Sequence, residues 1–138
     1  MMSDAERLVR AYYAAFNSGD RAAFLDLLAD DVQHVVSQGT TETGRAAFAA
    51  VMAHMDRCYR EQVTDLVVMV DGTGTRAAAE FIVHGTYIAT DAGVPAGTAP
   101  ARGQTYTLPV GAFFTLHDGR VARIANHYNL ADWCRQVA

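Results

Sequence analysis

The sequence contains little cysteine. Cys58 and Cys134 are the only two cysteines, and they lie far apart with no C-x-x-C spacing. Such a pair builds neither the disulfide framework of a small secreted domain nor a cysteine-rich zinc site. The five histidines are dispersed, and no two of them are four residues apart on one predicted helix. We therefore expect two free thiols, no bound metal and no cofactor.

Basic runs and long apolar stretches are also missing. The net charge is −4 and the eleven Lys and Arg residues are scattered, so no patch matches a nucleic-acid backbone. No apolar run approaches the roughly 20 residues that cross a bilayer. The stretch MMSDAERLVR has neither the basic flank nor the apolar segment of a secretory signal. We expect no nucleic-acid partner, no membrane partner and a cytoplasmic protein.

The chain does have enough apolar material for one core. It has 138 residues, of which 51% are hydrophobic and 19% charged. A domain commonly holds roughly 100–150 residues, and this composition is typical of a globular protein. The sequence therefore predicts a single domain over residues 1–138.

The first part of the chain predicts three helices. Ser3 begins a capping box, and apolar residues at helical spacing then predict a helix over residues 4–16. Asp20 can cap a second, shorter helix. A third helix begins near Thr43 or Gly44. Its apolar face is formed by Phe48, Val51, Met52, Met55 and Tyr59.

Elsewhere the hydrophobic pattern has the two-residue period of strands. One short strand, VQHVVSQGT, precedes the third helix, and two hairpins follow it, with turns at residues 71–74 and at HDG. Between the hairpins, residues 89–104 form a loop too long for a tight turn, which makes it a candidate lid. Asn129 can cap a short C-terminal helix. This order predicts an α+β fold with helices on one face of a curved antiparallel sheet.

Three stretches of the chain, YYAAFNSGDRAAFLDLLADDV, the HGTY strand and DGRVARIANHYNLADWCRQV, resemble the nuclear transport factor 2 superfamily. Within it they look like SnoaL-like proteins related to ketosteroid isomerase. The resemblance implies a cone-shaped α+β barrel, in which the sheet wraps around three N-terminal helices and an apolar pocket. It also implies a homodimer formed through the outer sheet face. The activities it implies range from isomerases, cyclases and dehydratases to non-catalytic binders, because one scaffold carries many functions.

By this resemblance, the sequence has one of the three catalytic residues of ketosteroid isomerases and lacks the other two. Tyr12 matches their tyrosine on the first helix, whereas their two carboxylate positions fall on Val36 and Gly111. The aspartate that SnoaL-like cyclases carry on the last strand falls on Asn126, and an amide cannot take a proton near neutral pH. The usual carboxylate bases of both families are therefore missing.

His34 is the candidate base in their place. Alternate residues of a strand face one side, so His34 and Gln38 share the face of Val36. An imidazole titrates near neutral pH and can serve as acid or base. The alternative is a histidine that is only hydrogen-bonded in the cavity wall. For Tyr12 the alternatives are a hydrogen-bond donor to a carbonyl or oxyanion and a ring that only packs in the core.

The remaining candidates are expected to line the pocket. In FIVHGTY the alternation places Phe81, Val83 and Tyr87 on the pocket side, where Gly85 leaves room for a ligand or marks a bend. His84 then faces outward unless the strand is bulged, which makes it a second-rank site residue. The predicted ligand-binding residues are Phe16, Gln38, Met52, Met55, Tyr59, Phe81, Val83, Tyr87 and Tyr128.

Three functions stay open on the sequence. The first is a cofactor-independent enzyme of isomerase, cyclase or dehydratase type, acting on a small apolar oxygenated molecule with Tyr12, His34 and Asn126 as catalytic residues. The second is a homodimer of the same fold that binds a small apolar molecule without turnover. The third is a structural dimer filled by its own side chains, which a cavity below roughly 300 Å³ would indicate.

Overall fold

The helices and strands follow the predicted order, with one additional strand. The computed structural model describes residues 1–36 and 38–138. In this part of the chain the elements are α1 (Asp4–Ser18), α2 (Arg21–Asp26), β1 (Leu28–Val36), β2 (Thr40–Thr43), α3 (Arg45–Cys58), β3 (Tyr59–Val70), β4 (Arg76–Tyr87), β5 (Gln104–His117), β6 (Arg120–Tyr128) and α4 (Leu130–Val137). The sequence did not predict β2, because its residues TTET are mostly exposed and carry no apolar pattern.

Side chains cap three of the helices as predicted. Ser3, Asp20 and Asn129 each accept a hydrogen bond from a backbone N–H in the first turn of α1, α2 and α4, at 3.1, 3.0 and 3.0 Å. These bonds satisfy N–H groups that no carbonyl within the helix can reach. The Glu6 side chain bonds Arg10 at 2.8 Å. No helix in the described residues is both long and apolar enough to cross a membrane.

The strands form one six-stranded sheet in the order β2-β1-β6-β5-β4-β3. All neighbouring pairs are antiparallel except β1 and β6, which are parallel. The hairpins fix the direction of β3 to β6, but no hairpin joins β1 to β6, so the sequence pattern did not reveal this pairing. A register shift between Thr64 and Val67 interrupts β3, and such irregularities increase the twist of a sheet.

Residues of β4 alternate between the core and the outer face, as the pattern predicted. Phe81, Val83 and Tyr87 are buried, whereas His84 is exposed. Pairing of β4 with β5 is continuous, so no bulge reverses these faces. His84 Nε2 lies 2.9 Å from Thr64 Oγ1 on the outer face. Its second-rank place in the site therefore has no support from the geometry.

The core lies between the helices and the inner face of the sheet. Tyr13 of α1 packs on Phe81 of β4 with ring centroids 4.7 Å apart. Tyr12 packs on Phe24 of α2 and on Phe114 of β5, at 4.7 and 5.4 Å. Aromatic rings of this kind bury large apolar areas and prefer such tilted and edge-to-face contacts. The predicted α+β arrangement, with the sheet around the N-terminal helices, is confirmed.

Candidate functional site

β1 and β6 bring His34 and Asn126 together. His34 Nε2 lies 3.3 Å from Asn126 Nδ2, and the imidazole stacks on Phe48 with centroids 4.3 Å apart. His34 is only 7% exposed, and burial lowers the pKa of its imidazole below the ordinary value. The ring is therefore neutral at pH 7 and able to accept a proton.

One nitrogen of this imidazole, His34 Nδ1, is buried without a hydrogen-bond partner among the residues that the structure describes. Leaving a buried polar atom unpaired costs roughly 1–3 kcal/mol. A ligand group that reached Nδ1 would recover this free energy. His34 therefore has the protonation state and the unused bonding capacity of a group that meets a ligand.

Tyr12 lies in the aromatic core and not beside His34. Ring contacts run from Tyr12 to Phe24, from Phe24 to Phe48 and from Phe48 to His34. In residues 1–36 and 38–138 no hydrogen bond joins Tyr12 to His34. Burial raises the pKa of Tyr12 well above its usual range, against a smaller opposing effect of Arg21. The hydroxyl therefore stays protonated and can only act as a neutral donor or acceptor.

A small cavity lies among α1, α2, α3 and β3. Its volume is about 20 Å³, room for roughly one water molecule and far below the roughly 300 Å³ of a typical small-molecule site. Four predicted ligand-binding residues line it together with three that the sequence did not single out. The lining residues are Phe16, Arg21, Met52, Met55, Asp56, Tyr59 and Glu61.

Glu61 places a half-buried carboxyl group at this cavity. Tyr106 Oη donates a hydrogen bond of 2.6 Å to Glu61 Oε2. Burial raises the pKa of Glu61, and the Tyr106 hydrogen bond opposes this rise. Burial and the neighbouring Glu61 raise the pKa of Tyr106 well above its usual range, so Tyr106 keeps its proton. A carboxyl group with a raised pKa in a cavity is a candidate acid or base.

The sequence interpretation missed Glu61 because it assigned Tyr59 to the face of the third helix. The helix ends at Cys58, and Tyr59 is the first residue of β3. Tyr59 and Val63 are buried and Glu61 is half-buried, while the residues between them are exposed. A two-residue period counted from Tyr59 would have placed Glu61 on the inner face.

A salt bridge between Arg21 and Asp56 forms part of the cavity wall. Arg21 Nε and Nη2 donate to the two carboxylate oxygens of Asp56 at 2.9 and 2.7 Å. The guanidinium also lies over the Phe16 ring, 5.3 Å from its centroid. The hydrogen bonds from Arg21 hold the pKa of Asp56 below its usual range. Asp56 is therefore an anchor for Arg21 and a poor proton donor.

Asp91 fastens the loop between β4 and β5. Tyr59 Oη donates to Asp91 Oδ2 at 2.8 Å, and Gly93 N–H donates to Asp91 Oδ1 at 2.8 Å. The Asp91 N–H donates to Tyr87 Oη at 2.9 Å, so this hydroxyl holds the loop. Burial opposes ionisation of Asp91, but bonds from Gly93, Tyr59 and His54 lower its pKa overall.

Three possible metal ligands meet at the same loop. His54, Cys58 and Asp91 each offer one ligand atom, and these atoms lie within 4.8 Å of one another. The sequence analysis did not indicate this grouping. His54 and Cys58 are four residues apart on α3, but Asp91 comes from the loop, which spacing along the chain does not reveal. Both cysteines are free, as predicted.

Comparison with known proteins assigns the family. Residues 9–124 match the model of the SnoaL-like domain. The chain belongs to the SnoaL-like domain family. This assignment confirms the resemblance seen in the sequence. A comparison with curated proteins found no match to this SnoaL-like chain.

Solved structures support the family and the fold. A Pseudomonas putida KT2440 protein described as a "putative polyketide cyclase" is 56% identical over 100% of both chains, with a TM-score of 0.92. A Xanthomonas campestris protein with the same description is 51% identical over 98% of this chain and 97% of that one, with a TM-score of 0.91. An NTF2-like protein of Burkholderia pseudomallei K96243 is 19% identical over 99% of both chains, with a TM-score of 0.78, and shows the fold alone.

Three other positions that the sequence analysis named in this SnoaL-like domain differ in their exposure to solvent. Tyr128 is half-buried, and burial followed by Glu61 raises its pKa. Gln38 is exposed in the turn after β1 and does not share the buried face of His34. Gly111 faces outward on β5 and lines an open concavity of the outer sheet face. Its buried neighbour Ala112 faces the core.

Proposed function

We propose that this SnoaL-like domain is a cofactor-independent enzyme that moves protons on a small, mostly apolar, oxygenated molecule in an isomerase, cyclase or dehydratase type of reaction. The observation that carries the proposal is Glu61, a carboxyl group with a raised pKa beside a cavity lined by aromatic and methionine side chains. The relatives described as polyketide cyclases support the substrate class.

Glu61 is the proposed base and Tyr106 the group that orients it. A carboxylate whose pKa is raised by burial is a stronger base than an exposed one, so it can remove a proton from a carbon next to a carbonyl. The 2.6 Å hydrogen bond from Tyr106 Oη fixes one carboxylate oxygen and leaves the other free to take the proton. Because Tyr106 keeps its own proton, it serves as a donor throughout the reaction.

His34 and Asn126 form the second proposed proton-handling group. The neutral imidazole can accept a proton, and Asn126 at 3.3 Å sets its orientation. Tyr12 is proposed to donate a hydrogen bond to a substrate oxygen, since its pKa keeps it protonated. Substrate must enlarge the 20 Å³ cavity, and the flexible thioethers of Met52 and Met55 can move to admit it.

The test is exchange of carbon-bound hydrogen for deuterium on a panel of cyclic and linear ketones and β-diketones in D₂O, followed by mass spectrometry. Glu61→Gln is expected to slow exchange by at least about 100-fold, because a general base contributes roughly 10²–10⁴. Glu80→Gln is the matched control, since Glu80 is exposed on β4. Exchange that is equally fast in wild type and Glu61→Gln would remove the base assignment.

A homodimer that binds a small ligand without turnover is the second candidate. The small cavity and the absence of carboxylates at Val36 and Gly111 favour it. Apolar side chains exposed on the sheet, Val67, Met69 and Phe113, favour the dimer. Native mass spectrometry would support this function if it found a dimer with an unchanged ligand while the ketone panel showed no exchange. A protein without ligand or exchange would instead support the purely structural dimer.

A further inference from the structure

We propose that His54, Cys58 and Asp91 bind a divalent transition-metal ion of the zinc class, and that this ion ties the β4–β5 loop to α3. The three side chains supply an imidazole nitrogen, a thiol sulfur and a carboxylate oxygen within 4.8 Å of one another. Nitrogen and sulfur donors favour zinc and its neighbours over magnesium or calcium, which prefer oxygen alone. The proposal does not depend on the proposed function.

The positions of the donors suit one ion. His54 and Cys58 are one turn apart on α3, so their side chains share a helix face. Zinc bonds of about 2.0–2.3 Å in tetrahedral geometry hold neighbouring ligand atoms roughly 3.3–3.6 Å apart. His54 Nε2 and Asp91 Oδ1 are already 3.0 Å apart, and 42% of the His54 side chain is exposed. Since all three ligand atoms lie within 4.8 Å of one another, side-chain adjustments of about 1 Å would bring them to the spacing of zinc ligands.

A second layer of hydrogen bonds already orients the carboxylate. Tyr59 Oη and Gly93 N–H donate to Asp91 at 2.8 Å each. A carboxylate has about four acceptor positions, so these two bonds leave room for a metal in the place of the His54 hydrogen bond. Outer-layer partners of this kind are characteristic of metal sites and typically change affinity about 10–100-fold when removed.

A hydrogen bond between His54 and Asp91 does not account for the Cys58 thiol that lies beside them. Cys58 is buried, and the one hydrogen bond of its Sγ to the described residues is a long one, 4.0 Å to the Thr90 carbonyl oxygen. A thiol gives up its proton to solvent when it binds such an ion. We expect water to fill the fourth coordination position, because 42% of the His54 side chain is exposed.

The first test is titration of the chelator-treated full chain with Co²⁺, a coloured substitute for Zn²⁺. Wild type should show a thiolate-to-cobalt absorption band that Zn²⁺ abolishes. Cys58→Ser should lack the band and Cys134→Ser should keep it, which makes Cys134 the matched control. Tyr59→Phe should keep the band with about 10–100-fold weaker affinity. No band in wild type, or an equal band in Cys58→Ser, would overturn the proposal.

The second test asks whether Zn²⁺ stabilises the β4–β5 loop. It does not depend on Cys58→Ser and can be used even if that variant folds poorly. His54→Gln changes a partly exposed side chain and should leave the fold intact. Zn²⁺ should raise the melting temperature and slow amide exchange in residues 88–103 of wild type and of Cys134→Ser, but not of His54→Gln. An equal response of His54→Gln to Zn²⁺ would show that the ion binds elsewhere.

Discussion

Gly85→Ala should be among the most destabilising small changes in the sheet, because Gly85 makes room for the Tyr106 ring. A Cβ at residue 85 would overlap Cζ, Cε2 and Oη of Tyr106, which are the rigid part of that side chain. Gly85 does not lie in the left-handed region of backbone conformation, so alanine fits the backbone itself. The expected loss is therefore steric, and the room predicted for a ligand is filled by the ring.

The expected loss of stability has two parts. Forcing a group into a packed core costs roughly 1–3 kcal/mol. Displacing Tyr106 also breaks its 2.6 Å hydrogen bond to Glu61, and a hydrogen bond to a charged group contributes roughly 1.5–3 kcal/mol. We expect Gly85→Ala to lower the free energy of unfolding by about 2.5–6 kcal/mol. Urea denaturation followed by fluorescence of Trp133, which packs on Tyr106 at 6.0 Å, measures it.

Gly111→Ala is the matched control, because no atom of residues 1–36 and 38–138 beyond its chain neighbours lies within 4 Å of a Cβ at that position in the next strand. It should change stability by less than about 0.5 kcal/mol. In a Tyr106→Ala background the clash is absent, so Gly85→Ala should cost little and the two changes should couple by at least about 1.5 kcal/mol. If Gly85→Ala and Gly111→Ala behave alike, the close packing of Gly85 against Tyr106 is refuted.

Three further predictions concern buried groups. Burial raises the pKa of Glu61 in the folded protein, so its ionisation lowers the stability of wild type as pH rises from the ordinary glutamate pKa through the folded-state pKa. Glu61→Gln should therefore be more stable than wild type at neutral pH, and this difference should disappear in acid. A difference in urea midpoint that stays constant with pH would contradict the prediction. Burial lowers the pKa of His34, so wild type should lose stability as pH falls from about 6.5, and His34→Gln should lack this slope. Phe24 is fully buried, and Phe24→Ala should cost about 3–5 kcal/mol in urea denaturation; a loss below about 1 kcal/mol would be inconsistent with that packing.

Local signals in the sequence were sufficient for the helices and for β4. Ser3, Asp20 and Asn129 were recognised as caps because a cap bonds an N–H only a few residues away. The faces of β4 followed from the two-residue period, since its pairing with β5 has no register shift. Where the backbone is regular and the contact is short-range, residue order alone predicts the structure.

Long-range packing set the limits of prediction. The place of Gly85 beside Tyr106 depends on cross-strand pairing, which a single strand does not encode. The proximity of Asp91 to Cys58 depends on how the loop folds back on α3, and no periodicity describes a loop.

Tyr59 connects the two proposed sites, and variants of residues on either side of it can test the two sites separately. Its ring lines the cavity beside Glu61, and its hydroxyl holds Asp91. An ion bound to Asp91 would therefore restrict the movement of the Tyr59 ring. The cavity would then open less readily for substrate, although the ion would not contact the Glu61 carboxyl group. Glu61→Gln should abolish deuterium exchange and keep the cobalt band, whereas Cys58→Ser should abolish the band and keep exchange. If Cys58→Ser also abolished exchange in a folded protein, the metal would belong to the reaction and the loop would be part of the catalytic site.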